Sequence, residues 1–181
     1  MCIRDRRGEQ AGLTGQGEAA RLAALHRYDV LDSDPDRTYD TITRLATRLL
    51  DSPIALVTLV DADRVWFKSK VGWDETEVPR DVAFCSTTNP STGSPWTIPD
   101  AEADPRTVRN PLVVEGPAVR AYAGAPLITH DGHELGALCV FDTRTRDYSQ
   151  GQLDALADLA DLVMHEMELR RATRRAIFSR E

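Results

Sequence analysis

Apolar residues in this chain repeat with two periods, and the elements follow from where one period gives way to the other. From Glu18 to Tyr28, Leu22 and Leu25 fall at helical spacing among Ala19, Ala23 and Ala24, which predicts a short helix. A second helix is expected to open at Asp34-Pro35-Asp36, with Asp34 as cap and Pro35 at the first helical position. Tyr39, Ile42, Leu45, Ala46, Leu49 and Leu50 form its apolar stripe, and Asp51-Ser52-Pro53 ends it. Ile54 to Val60 is apolar on both parities, as a strand covered on both faces should be. Asp61 to Arg64 turns the chain into Val65 to Val71, where Val65, Phe67 and Val71 share one face and Trp66, Lys68 and Lys70 the other.

The strongest turn signal lies further on, in Ala118 to Asp142. Asp131-Gly132 joins Tyr122–Thr129 to Leu135–Phe141, a hairpin whose second strand is again apolar on both parities. Ser149 and Gln152 have capping-box spacing before a long helix. Its residues Leu153, Leu156, Ala160, Val163 and Met167 fit a coiled-coil seam and equally an ordinary core stripe. Between these regular parts, Gly72 to Pro117 is rich in proline turns, and only Trp96-Thr97-Ile98 reads as a strand. Phe84, Trp96, Leu112 and Val113 anchor this irregular stretch, which is expected to be functional. Met1 to Gly17 has no apolar periodicity and is expected to be a disordered tail. Its first six residues resemble an artefactual leader.

At 181 residues and 41% hydrophobic, the chain suffices for one well-cored domain. The net charge is -7, and basic residues are scattered except at the C-terminus, so no nucleic-acid footprint is present. No apolar run approaches the ~18 residues that span a bilayer, and the chain is expected to be cytoplasmic without a membrane partner. Three cysteines, Cys2, Cys85 and Cys139, form no CxxC and suit a reducing compartment.

The candidate chemistry is sparse. P-loop, GxSxG and HExxH motifs are absent from the sequence. His26, His130, His133 and His165 fall in separate elements apart from one turn pair, and no metal site is expected. In the cluster Asp100, Asp104, Arg106, Arg109 and Asn110, either Arg106 or Asn110 holds a small polar ligand, or Asp104 and Arg106 pair to fix a turn. Trp66 and Lys68 either line a pocket or pack under the irregular segment. Tyr122 brings a hydroxyl into an apolar strand and needs a buried partner or a ligand.

The ordered set of segments resembles the GAF domains of bacterial signalling proteins. The matching residues are LAALHRYDVLD from Leu22 to Asp32, Tyr39 to Thr43, PIALVTLVDAD from Pro53 to Asp63, and Arg64 to Ser69. They continue through Pro79-Arg80-Asp81, Phe84-Cys85, Pro99 to Ala101, Asp104 to Arg106, Asn110 to Val113, Tyr122 to Leu127 and Leu135 to Val140. The resemblance implies an α+β fold over residues 18–171: an antiparallel sheet of five or six strands, terminal helices on one face and a lid-covered pocket on the other. A basic tail would follow at 172–181. Pocket candidates are Trp66, Lys68, Phe84, Cys85, Arg106, Asn110 and Tyr122, with the cofactor unknown.

The resemblance also implies a signalling module that binds a small ligand or a protein partner and relays it through its terminal helices. A homodimer on those helices and a kinase, cyclase or phosphatase output partner are expected with it. Some relatives reduce free methionine sulfoxide with cysteines and others attach a linear tetrapyrrole, so Cys85 is either a nucleophile or a buried thiol beside Phe84. A ligand-free dimerisation module is the third reading. Ser86 to Gly93 is polar and turn-rich where relatives continue into a partly apolar helix.

Overall fold

The computed structural model describes the backbone of residues 7–180 and the side chains of residues 17–180. The expected leader at residues 1–6 lies outside the described residues. Six strands form one antiparallel sheet in the order β3-β2-β1-β6-β5-β4. They are β1 (Ile54–Val60), β2 (Arg64–Val71), β3 (Glu77–Pro79), β4 (Trp96–Ile98), β5 (Ala121–Ile128) and β6 (Glu134–Asp142). The helices are α1 (Arg7–His26), α2 (Arg37–Leu49), α3 (Phe84–Thr87), α4 (Pro111–Val114) and α5 (Gln150–Phe178).

The doubly apolar strands β1 and β6 pair at the middle of the sheet, Ile54 opposite Phe141 and Leu59 opposite Gly136. Their alternate residues feed two separate cores. Ala55, Val57, Leu59, Leu138 and Val140 join Leu25, Tyr39, Ala46, Leu156 and Val163 beneath α1, α2 and α5. Ile54, Leu56, Ala137, Cys139 and Phe141 join Val65, Phe67, Phe84, Trp96 and Val113 beneath the irregular segment. Gly136 permits the close approach of β1 and β6, since a Cβ there would stand 1.9 Å from the Thr58 carbonyl oxygen. On its other edge β1 shifts register against β2 at Val57/Thr58, while toward β6 the Thr58 hydroxyl donates to the Ala137 carbonyl (3.0 Å) and accepts from the Ala137 N–H (3.1 Å).

Two boundaries differ from the sequence reading. Helix α1 begins at Arg7 rather than Glu18, because Glu9, Gln10 and Ala11 are good helix formers and the interspersed glycines weaken a helix without forbidding it. Asp36, not Asp34, caps α2, its carboxylate accepting from the Thr38 N–H at 2.9 Å. Lys68 fixes the Asp34 carbonyl at 2.6 Å and so holds that residue in the connection before the helix. The capping box at Ser149 opens α5 as expected, and the helix runs unbroken to Phe178, through the basic tail. Its buried residues Leu156, Leu159, Ala160, Val163, Met164 and Met167 form a broad core stripe, wider than a coiled-coil seam.

Candidate functional site

The lid is built from short pieces held by aromatic anchors. Phe84 on α3 packs against Tyr122 of β5 and Phe141 of β6, with ring centroids 5.5 and 5.4 Å apart. Trp96 covers Tyr122 from the other side at 5.7 Å, and its indole N–H donates to Thr88 Oγ1 at 3.0 Å. Trp73 closes the remaining side against Phe67 and Phe141. Between sheet and lid lies an apolar pocket lined by Leu56, Thr58, Phe67, Trp73, Cys85 and Phe141 among others, with an interior of about 10 Å³, room for no more than a single water.

Two polar atoms inside this apolar region have no hydrogen-bond partner, the Tyr122 hydroxyl and the Trp73 indole nitrogen. Tyr122 is fully buried, and Gly124 makes room for it: a Cβ there would fall 2.4 Å from the hydroxyl. Burial pushes the Tyr122 phenol well above its ordinary range, and the charge-acting groups beside it are the Cys139 and Cys85 thiols. Burial likewise raises Cys139, whose Sγ lies 3.7 Å from the Leu56 carbonyl.

Cys85 forms the wall between the apolar pocket and a polar cleft of about 150 Å³ lined by Glu18, Arg21, Arg80 and Glu134. Burial pushes its thiol up to about 11. Thr58 is the nearest hydroxyl acting on it, but the single proton of Thr58 is directed to the Ala137 carbonyl and is not available to a thiolate. Arg80 and Arg21 are clasped by Glu18 at 2.6 and 2.9 Å, and together they hold the Glu18 carboxyl down to about 2. The thiol is therefore protonated at neutral pH, and the nearby guanidinium charge is already matched.

The structure divides the seven pocket candidates. Phe84, Cys85 and Tyr122 meet under the lid. Trp66 and Lys68 point to the opposite face of the sheet, Trp66 into the helix-side core and the Lys68 ammonium to Ser33 Oγ at 2.8 Å. Arg106 lies at the surface in an ion pair with Asp104 at 2.7 Å, which fixes the turn at Asp104-Pro105. Asn110 caps α4, accepting from the Leu112 N–H at 2.9 Å and donating to the Val82 carbonyl at 2.8 Å. Among the described residues no three His, Cys, Asp or Glu side chains converge as a metal site. Trp73, Leu56, Thr58 and Phe141 were not expected at the pocket; for the last three, the parity of β1 and β6 is the signal, since residues alternate between the two cores.

An antiparallel sheet carrying terminal helices on one face and a lid on the other defines a class of α+β sensory domain. The chain belongs to that class's GAF family: the GAF domain model matches residues 34–167. A cyclic di-GMP phosphodiesterase of Pseudomonas aeruginosa is 35% identical over 159 residues, covering 87% of this chain and 27% of that protein. The chain thus spans about a quarter of that relative's length. Among solved structures, the GAF domain of a phosphoenolpyruvate-protein phosphotransferase from Coxiella burnetii superposes with a TM-score of 0.64 at 14% identity, over 88% of this chain and 98% of that one. A free methionine-R-sulfoxide reductase from Neisseria meningitidis superposes with a TM-score of 0.60 at 16% identity, over 81% and 87%. These structural likenesses show the shared fold. A GAF fold with relatives of this kind marks a signalling module, and no helix among the described residues is long and apolar enough to cross a membrane.

Proposed function

We propose that this chain is a non-catalytic sensory module of the cytoplasm that takes a small, largely apolar ligand under the lid and relays its presence through α1 and α5. The observation that carries this reading is a pair of polar atoms without a hydrogen bond in the lid-side core: Trp73 Nε1 on the wall of an otherwise apolar and aromatic pocket, and Tyr122 Oη next to it, packed against the pocket-lining Phe84 and Phe141. A buried polar group without a partner costs about 1–3 kcal/mol, a cost that a ligand bearing an acceptor would remove. Because the interior is only about 10 Å³, entry requires the α3 and Trp73 segments to move outward. The ligand then shifts the domain as far as it prefers the opened lid.

The protonated, enclosed Cys85 disfavours the thiol-reductase reading, since the thiolate is the attacking form. The closed pocket supports a second reading, a dimerisation module without a ligand. Exposed Leu45 and Leu49 on α2 lie on the same helical layer as Leu162 and Leu169 on α5, which suits a homodimer packed on its helices. A phosphodiesterase, kinase or cyclase is the output partner that fits a module of this kind, with the Pseudomonas relative favouring the first.

Native mass spectrometry of the undenatured protein, paired with Tyr122→Phe, tests the reading. The sensor predicts an added bound mass in the wild type that the variant retains poorly, while the ligand-free variant gains about 1 kcal/mol in stability from losing its orphaned hydroxyl. A clean apo mass under all lysate and metabolite conditions, with Tyr122→Phe merely more stable, sinks the ligand and leaves the dimerisation module.

A further inference from the structure

Away from the lid, on the helix-covered face, a cleft of about 80 Å³ opens between the α1–α2 connection, β2 and the last third of α5. Three cations face it, Lys68, Arg170 and Arg174, against a single lining carboxylate, Asp29. Lys68 is 7% exposed, and its ammonium donates to Ser33 Oγ at 2.8 Å and to the Asp34 carbonyl at 2.6 Å. Among the described residues it has no carboxylate within ion-pair distance, and one of its three N–H donors is left over. Burial without a counter-ion is costly, and it pulls the Lys68 ammonium below its ordinary range.

Tyr39 supplies the second observation. It is 1% exposed, lines the same cleft, and its hydroxyl makes no hydrogen bond among the described residues. Its ring lies under both Lys68 Nζ and the Arg170 guanidinium, at 5.4 and 5.1 Å from the centroid. The surrounding carboxylates are already engaged: Asp36 and Glu166 hold Arg170 at 2.5 and 2.7 Å, and Glu168 takes the Tyr28 hydroxyl. Asp36, and more weakly Asp40 and Asp34, act on Lys68 only from outside ion-pair reach. Arg174 donates to the Tyr28 carbonyl and keeps further donors for the cleft mouth.

We propose that this cleft is an anion site for a phosphate-sized tetrahedral oxyanion, met as free phosphate or as the terminal phosphoryl group of a small metabolite. Lys68 Nζ and the Tyr39 hydroxyl donate from the floor and Arg174 from the mouth. Donors arriving from β2, α2 and α5 suit an ion with oxygens in several directions better than a planar carboxylate. The space, enough for a few waters, admits the phosphoryl group and leaves the rest of any metabolite outside. A bound oxyanion would fasten the end of α5 to the sheet.

The test is calorimetric titration of the full chain in low-salt chloride buffer at neutral pH, with inorganic phosphate and separately with glycerol phosphate. Saturable one-to-one phosphate binding is expected, weakened at least tenfold in Lys68→Met and in Arg174→Gln. Arg175→Gln, an exposed neighbour carrying the same charge change, should alter it less than twofold. Tight binding of the ester as well assigns a phosphorylated metabolite, and binding of phosphate alone assigns the free ion. Absence of saturable phosphate binding overturns the proposal, and so does equal weakening by Arg174→Gln and Arg175→Gln, which would mean diffuse charge. Should Lys68→Met fail to fold, the arginine comparison decides alone.

Discussion

The Thr58 hydroxyl has one proton, and at 3.0 Å the Ala137 carbonyl holds it. Burial is the larger effect on Cys85, and that commitment adds to it, because a thiolate beside Thr58 would face lone pairs. With the thiol raised from 9.0 to about 11, its ionised fraction at neutral pH falls on the order of a hundredfold. Iodoacetamide labelling of native protein at pH 7.5 should accordingly proceed on the order of 100-fold more slowly at Cys85 than at a free peptide thiol. Labelling at the free-thiol rate would show that the lid opens readily and that the buried state is not the dominant one. The sequence offered both readings of this cysteine, nucleophile or buried thiol beside Phe84; what it did not show is the hydrogen bond between β1 and β6 that leaves the Thr58 proton unavailable to it.

The larger elements declared themselves in the sequence, and of the short ones only β4, Trp96–Ile98, did. β1 and the β5–β6 hairpin were legible because a doubly apolar run leaves few alternatives to a covered strand, and α5 because Ser149 and Gln152 form both halves of a capping box. β3, α3 and α4 span three or four residues each, too few for any period to register, and tertiary contacts decide them. Two of the seven pocket candidates lie away from the lid for a related reason. Trp66 and Lys68 were correctly placed on one parity of β2, but parity cannot tell which side of the sheet bears the lid. Gly136 is an element-scale constraint of the same hidden kind. Gly136→Ala would force a Cβ to 1.9 Å from the Thr58 carbonyl oxygen, so β1 and β6 must part, at a cost of about 3 kcal/mol or more in urea denaturation. A loss under 1 kcal/mol would mean the central ladder is looser than its register implies.

Across the whole molecule, Glu18 ties α1 to the lid through Arg80 and to its own helix through Arg21. Its folded pKa, about 2 against an ordinary 4.5, is depressed, so its contribution is complete above 4.5 and is lost as pH falls toward 2. Asp36 and Asp104, lowered by Arg170 and Arg106, act with the same sign. Solvent screening at the partly exposed Glu18 makes its share modest. Acid titration followed by tryptophan fluorescence should show loosening in that window, and Glu18→Gln should flatten its upper part; an unchanged profile would discount the clasp. The exposed leucines of α2 and α5 make a separate prediction. Leu162→Glu with Leu169→Glu should convert a homodimer to a folded monomer in sedimentation velocity, with helical circular dichroism retained.

Helix α5, at 29 residues, is about 44 Å long, whereas the longest strand, of nine residues, reaches only about 31 Å. About a dozen ångströms of helix therefore exceed the length of that strand, and Arg170 and Arg174 tie this end to Asp36 and to the Tyr28 carbonyl. Tilting such a rod by about 5° about its Ser149 end would swing its tip by about 4 Å, so a small repacking at one end becomes a side-chain-sized displacement at the other. In the proposed relay, the length of this one helix would set the gain, and shortening it by whole turns would lower that gain.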